Sequence, residues 1–161
     1  MASIIDRRVT ADIDGDFVLF LIGMRVNRPW KIASWLPVAI AMPRMLAELA
    51  KQPDMGLLHE RSHFGFPGIM SVQYWRSFAH LEAYSKKADA AHLPAWKAFN
   101  KAVGSNGDVG IWHETYLIAP GRHESIYNNM PPFGLGAASG LVDATGARNA
   151  AKQRLRVKKA A

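Results

Sequence analysis

The feature that most constrains this chain is an apolar run near its start, Phe17-Val18-Leu19-Phe20-Leu21-Ile22-Gly23-Met24. A short run of aromatic and branched residues between turn signals predicts a buried strand. Side chains alternate between the two faces of a strand, so a strand that is apolar throughout needs a cover on both sides. The fold must therefore bury both faces of the sheet that contains this strand.

The period of the hydrophobic pattern changes several times along the rest of the chain. Helical spacing follows the first strand, and two strand-like runs at residues 57–64 and 68–75 then flank a Gly/Pro turn, which predicts a hairpin. Ser77 and Asp89 are each placed to cap a helix, and residues 109–119 alternate as a last strand. The predicted order is strand, helix, strand, strand, helix, strand.

This order is typical of the ferredoxin-like βαββαβ plan, an α+β fold with an antiparallel sheet and helices on one face. The other face of the sheet is expected to close against a second copy of the chain, which gives a homodimer and a dimeric α+β barrel. Residues 1–136 are predicted to form this domain. Residues 137–161 are predicted to be a mobile basic tail.

Charge and cysteine content exclude several classes of function. The net charge is +7, but six basic residues and no acid follow Asp143, so residues 1–146 carry only +1. A solvated terminus explains this better than a nucleic-acid partner, which we do not expect. The chain has no cysteine, so disulfides, thiolate nucleophiles and cysteine-ligated metals are excluded, and a reducing cytoplasm is the expected location. No targeting segment or run of about 20 apolar residues is apparent, so we expect a soluble protein and no membrane partner.

Histidines are the main candidates for chemistry, because phosphate-loop, nucleophile-elbow, zinc-protease and paired-carboxylate patterns are absent. His113 lies on an otherwise apolar face of the last strand, where it must find a hydrogen-bond partner or contact a ligand. His92 precedes a helix among small residues that leave room for a flat cofactor, and it could equally bond a carbonyl. His59 and His63 share one strand face but lack an evident third metal ligand.

Three separated stretches resemble one known family. They are residues 72–84, His92-Leu93-Pro94-Ala95-Trp96, and Gly110-Ile111-Trp112-His113-Glu114-Thr115-Tyr116. The family is that of the small monooxygenase-like proteins related to the fumagillin-pathway polyketide monooxygenase. It belongs to the dimeric α+β barrel superfamily of antibiotic-biosynthesis monooxygenases, and the resemblance covers about residues 8–136.

A more distant resemblance is to the haem-binding half of aldoxime dehydratases, which have the same superfamily fold. By this resemblance His92 matches the axial ligand of the haem iron and His113 matches the distal catalytic histidine. The second half of those enzymes has no counterpart here, and their distal serine and arginine cannot be placed in this sequence.

Together the resemblances imply an oxidoreductase that oxidises a small apolar or aromatic molecule by monooxygenase-type chemistry. His113 would be the catalytic group, and Trp75, Trp96 and Trp112 would shape the substrate pocket. The protein would either bind haem b, with His92 as the iron ligand, or use no cofactor. If haem is bound, its propionates would pair with one of four arginines: Arg25, Arg28, Arg44 or Arg76. The alternatives are a haem-dependent aldoxime dehydratase-like lyase and a non-catalytic protein that binds haem or a small ligand.

Overall fold

The computed structural model describes residues 3–87, 97, 99–100 and 104–155. It contains antiparallel sheets, and helices pack on one of them. The strands are β1 (Ile5–Ala11), β2 (Phe17–Val26), β3 (Leu57–Gly65), β4 (Gly68–Trp75), β5 (Val109–Ile118), β6 (Tyr127–Met130) and β7 (Leu141–Asp143). The helices are α1 (Ile32–Ala50), α2 (Phe78–Lys86), α3 (Leu135–Ser139) and α4 (Ala151–Arg154).

The larger sheet has the order β3-β4-β2-β5, and every neighbouring pair is antiparallel. The apolar strand β2 lies inside this sheet, between β4 and β5, which explains why its residues are apolar on both faces. With α1 and α2 as connections, this is the predicted ferredoxin-like arrangement, which is confirmed. The helix predicted from Asp89 onward lies largely outside the described residues.

The predicted hairpin and helix start are also present. Gly65 and Gly68 pair at the end of the β3–β4 hairpin, and a Cβ on Gly68 would lie 2.6 Å from the carbonyl oxygen of Met24. Only glycine allows that close approach. The backbone N–H of His80 donates to Ser77 Oγ at 3.4 Å, so Ser77 caps α2 as predicted.

The main core forms where α1 and α2 pack on the sheet. Met45 and Leu49 of α1 and Leu81 and Tyr84 of α2 are buried around Val18 and Trp75. This packing uses the second half of α1, whereas Ile32, Leu36 and Ile40 in its first half stay exposed. By length and composition α1 could cross a membrane, with a mean hydropathy of 1.3, but core helices of soluble proteins meet the same criteria.

The smaller sheet has the order β6-β1-β7. One of its strands, β7, lies within the segment that was predicted to be a mobile tail. Val9, Thr10 and Ala11 pair with residues 141–143, so at least part of the predicted tail is integrated in a sheet. Gly136 makes this packing feasible, because a Cβ there would lie 2.5 Å from Leu141 Cδ2 and 3.0 Å from Tyr127 Cε2. Gly136 therefore serves close packing between α3, β6 and β7.

The sheet face opposite α1 and α2 is covered at one end by the same chain. Phe17 contacts Tyr74 and His123 there, with ring centroids 6.3 and 5.2 Å apart, and the guanidinium of Arg61 lies 4.5 Å from the centre of the Phe133 ring. Elsewhere on this face Trp112 and Tyr116 remain exposed. The second cover that the sequence requires is thus supplied in part by residues that follow the ferredoxin-like core.

Candidate active site

A cavity of about 1,120 Å³ lies between the larger sheet and helices α1 and α2. Its walls are mainly apolar and include Phe20, Ile22 and Met24 of β2, which face Leu36, Val38 and Met42 of α1. A cavity of this size and polarity is typical of sites for small organic ligands or cofactors. The middle of α1 therefore forms one wall of the cavity.

Among the histidines that the structure describes, His113 is the one that lines this cavity. It pairs with Ile22 across β5 and β2, and it alternates with Ile111 and Thr115, which line the same cavity. Its ring lies 5.6 Å from the Phe20 ring, at an interplanar angle of 39°. The His113 side chain is exposed, and among the described residues it makes no hydrogen bond, so its nitrogens are free to contact a ligand that enters the cavity.

A chain of hydrogen bonds runs along the β4 side of the same sheet face. Trp75 Nε1 donates to Gln73 Oε1 at 2.9 Å, and Gln73 Nε2 donates to Ser71 Oγ at 3.3 Å. The hydroxyls of Ser71 and Ser62 both donate to Glu60 Oε2 at 3.3 Å. Ser62 and Ser71 line the cavity, so this chain gives an otherwise apolar wall one polar patch.

Sequence reasoning missed this patch as a functional feature. Its signal was the alternation of β4, which places Ser71 and Gln73 on the same face as Trp75. Ser71 and Gln73 are only 1% and 3% exposed, and buried polar side chains in a sheet are unusual unless they are hydrogen bonded.

The three tryptophans proposed for the pocket have different places. Trp75 is 1% exposed and packs in the core beside the cavity. Trp112 lies on the opposite face of the sheet, where its Nε1 would be 2.7 Å from a Cβ on Gly23. Trp96 lies outside the described residues, as does His92.

Of the four arginines considered for haem propionates, Arg44 is the one that lines the cavity. It is exposed and makes no ion pair with any residue that the structure describes. Arg28 is bonded to Asp108 at 2.7 Å, and Arg25 donates to Asn27. Lys86, a second cation among the described lining residues, is paired with Glu82 at 2.7 Å.

His59 and His63 pair with Tyr74 and Met70 on the sheet face opposite the cavity. Burial lowers the pKa of His59 below its ordinary value. Within the described ranges no three histidine or acidic side chains are grouped so that they could hold a metal ion. The structure does not bring either histidine near His113.

The comparison with protein families shows the family to which this chain belongs. The model of a family described as monooxygenase af470-like matches residues 17–135, which include β2 to β6 and His113. The chain belongs to this family. The resemblance predicted from the sequence is thereby confirmed, and the family is of monooxygenase type.

A curated relative in this family is the monooxygenase af470 of Aspergillus fumigatus, which is 29% identical over 165 residues. The aligned region covers 84% of this chain and 55% of the relative. The chain thus spans about half the length of the curated relative that it matches.

Solved structures with a similar fold include two aldoxime dehydratases. The enzyme OxdRE, solved with butyraldoxime, is 16% identical with a TM-score of 0.65, over 87% of this chain and 44% of its own. A second aldoxime dehydratase is 13% identical with a TM-score of 0.67, over 86% and 43% of the two chains. SnoaB of Streptomyces nogalater, a cofactor-independent oxygenase, is 15% identical over 63% and 91%, with a TM-score of 0.45. At these identities the dehydratases establish a shared fold.

Proposed function

We propose that this protein oxidises a small apolar or aromatic molecule in the cavity between the sheet and helices α1 and α2, by monooxygenase-type chemistry. The observation that carries the proposal is the imidazole of His113, which faces an apolar cavity without a hydrogen bond to any described residue. An imidazole so placed can accept a proton from a bound substrate and return it. Membership of a monooxygenase family supports oxygenation as the reaction.

The simplest reaction for this site needs no cofactor, because the substrate itself supplies the electrons. His113 removes a proton from an acidic CH₂ group that is flanked by aromatic rings, and the carbanion adds O₂. The imidazolium returns the proton to the peroxide, which loses water to give a carbonyl group. The balance is R₂CH₂ + O₂ → R₂C=O + H₂O, with carbon oxidised and O₂ reduced.

The apolar walls have a defined part in this reaction. They bind the rings of the substrate and exclude water, which would otherwise protonate the carbanion before O₂ reacts. Trp75 supports the β4 wall from the core. We propose that Trp96, which lies outside the described residues, also contributes to the substrate pocket. Trp112 acts on the cavity only through Gly23, because its ring lies on the other face of the sheet.

Haem b is the cofactor implied by the resemblance to aldoxime dehydratases, and the described part of the cavity fits it. The cavity is large and apolar, has an imidazole on the sheet wall, and offers Arg44 as a partner for a propionate. The axial ligand would be His92, which lies outside the described residues. Bound haem would supply iron for oxygen transfer or for dehydration, while His113 would hold or move a proton on the sheet side.

One preparation tests oxygenation and haem binding together. Protein is purified from cells given a haem precursor, its visible spectrum is recorded, and anthrone is incubated with it under ¹⁸O₂. We expect anthraquinone that carries one ¹⁸O atom, formed well above the spontaneous rate. A Soret band that disappears in His92→Ala, but not in the matched variant His63→Ala, would assign haem to His92.

Oxidation of anthrone at the spontaneous rate, with or without haem, would contradict the proposal. Conversion of butyraldoxime to the nitrile would then establish the lyase. A Soret band with neither activity would establish a binding protein.

We also propose that the protein is a cytoplasmic homodimer. The exposed Trp112 and Tyr116 lie on the sheet face that the smaller sheet leaves uncovered. A second copy of the chain would bury this area and complete the second cover for the larger sheet.

A further inference from the structure

Two polar side chains on the sheet wall of the cavity, Ser62 and His113, lie at opposite ends of one row across the sheet. Ser62 pairs with Ser71, Ser71 pairs with Ile22, and Ile22 pairs with His113. Neighbouring strands are about 4.8 Å apart, so Ser62 and His113 are separated by about 14 Å between their Cα atoms. An apolar middle, formed by Ile22 and by Phe20 in the next row, lies between the two polar ends.

The hydrogen bonds of the serine end run in one direction. The indole of Trp75 can only donate, which orients the Gln73 amide so that its nitrogen donates to Ser71 Oγ. At the other end the carboxylate of Glu60 can only accept, so it takes the hydroxyl hydrogens of Ser71 and Ser62. Both serine hydrogens are therefore committed to Glu60, and the serines have only acceptor capacity left.

Ser62 is the serine that can use this capacity. Ser71 is nearly fully buried and already accepts from Gln73, whereas Ser62 is half-buried and lines the cavity. Within the described part of the chain no group donates to Ser62 Oγ. Its lone pairs are thus available to a hydrogen-bond donor inside the cavity.

We propose that Ser62, held by Glu60 and supported by Ser71, is an acceptor subsite for a hydroxyl group of the substrate. The inference rests on the proposed function and names its substrate class: an elongated, flat phenol. The phenolic hydroxyl donates to Ser62 Oγ, the rings cover Ile22 and Phe20, and the acidic carbon lies at His113. An ether oxygen in place of that hydroxyl would meet an acceptor at Ser62 and is disfavoured.

The test measures binding of probes that do not have to react. Calorimetric titration compares 2-naphthol with 2-methoxynaphthalene, which differ in the phenolic proton. The wild-type protein should bind the naphthol about tenfold more tightly, as expected for one hydrogen bond in an apolar site. In Ser62→Ala the preference should fall below about threefold, because the accepting hydroxyl is lost. In Glu60→Gln it should fall to a similar extent, because the introduced amide N–H donates to Ser62 Oγ and occupies the lone pair that would accept from the naphthol.

Ser85→Ala is the matched control. Ser85 also lines the cavity, but it lies on α2 and not in the row across the sheet that joins Ser62 to His113, so the preference for naphthol should stay as in the wild type. Equal affinities for the two probes in the wild-type protein would overturn the proposal, even if both variants failed to fold. A preference that survives in folded Ser62→Ala would overturn it as well.

The outcome is separable from that of the proposed function, since binding of naphthol requires neither O₂ nor proton removal. A preference for naphthol without oxidation of anthrone would sustain the subsite and refute the oxygenase. Oxidation of anthrone without a preference for naphthol would do the reverse.

Discussion

At the scale of single residues, Asp108 shows how the entrance to α1 is fixed. Its side chain is 2% exposed and accepts from Arg28 Nη1 at 2.7 Å, from Lys31 Nζ at 3.1 Å and from Ser34 Oγ at 3.1 Å. Burial alone would raise the pKa of Asp108, but the bonds from Lys31, Ser34 and Arg28 outweigh it and lower the pKa. Asp108 therefore ties the start of α1, and with it one wall of the cavity, to the turn before β5.

We predict that Asp108→Asn lowers the melting temperature by several degrees at neutral pH, because the buried carboxylate is lost from its cations. A lowered folded pKa gives stability that is present above the unfolded pKa of 3.8 and is lost as the pH falls through the folded value. The difference in melting temperature between wild type and Asp108→Asn should thus be constant from about pH 7 to 5 and become smaller below about pH 4. Thermal unfolding across this range measures it.

Asp143→Asn is the control, since the Asp143–Arg7 pair is exposed on both sides and such pairs contribute little. A full-sized difference that persists at about pH 3 would contradict this account of Asp108.

Individual site residues could be predicted from the sequence to different degrees. His113 was identifiable because a lone imidazole on an apolar strand face needs a ligand or a partner, and the structure places it in the cavity. Alternation along β5 already put Trp112 on the opposite face from His113, so its pocket role was the weaker inference. The role of Glu60 could not be seen, because its link to Ser71 depends on the register between β3 and β4.

At the scale of elements, local pattern identified the ferredoxin-like core and missed the smaller sheet. The period changes along residues 17–86 and 109–118 are strong because each element buries an apolar stripe against the others. In β1, by contrast, Val9 and Thr10 are the buried residues and charged side chains precede them. A polar segment of this kind becomes a strand only through pairing on both sides with β6 and β7, which are more than 110 residues away in sequence.

At the scale of the whole molecule, the face of the larger sheet opposite α1 and α2 has two covers of different origin. The same chain covers the end around Phe17 and Tyr74, which the sequence did not reveal because the covering residues are distant. For the rest of the face we predict a homodimer, with a mass in solution of about twice 17.8 kDa. Light scattering that gives the mass of one chain at micromolar concentration would contradict it.

The central claim is that His113 holds and moves the substrate proton in the cavity between sheet and helices. Its most direct test is kcat for anthrone oxidation in wild type, His113→Ala and His63→Ala, with melting temperature and mass measured in parallel. The account predicts a loss of about 100-fold or more in His113→Ala, as expected when a general base is removed, with fold and mass unchanged. His63→Ala should keep kcat within about twofold of wild type, since this exposed side chain lies on the opposite sheet face and is assigned no proton transfer. A folded His113→Ala protein that turns over like wild type, or an equal loss in His63→Ala, would contradict the claim.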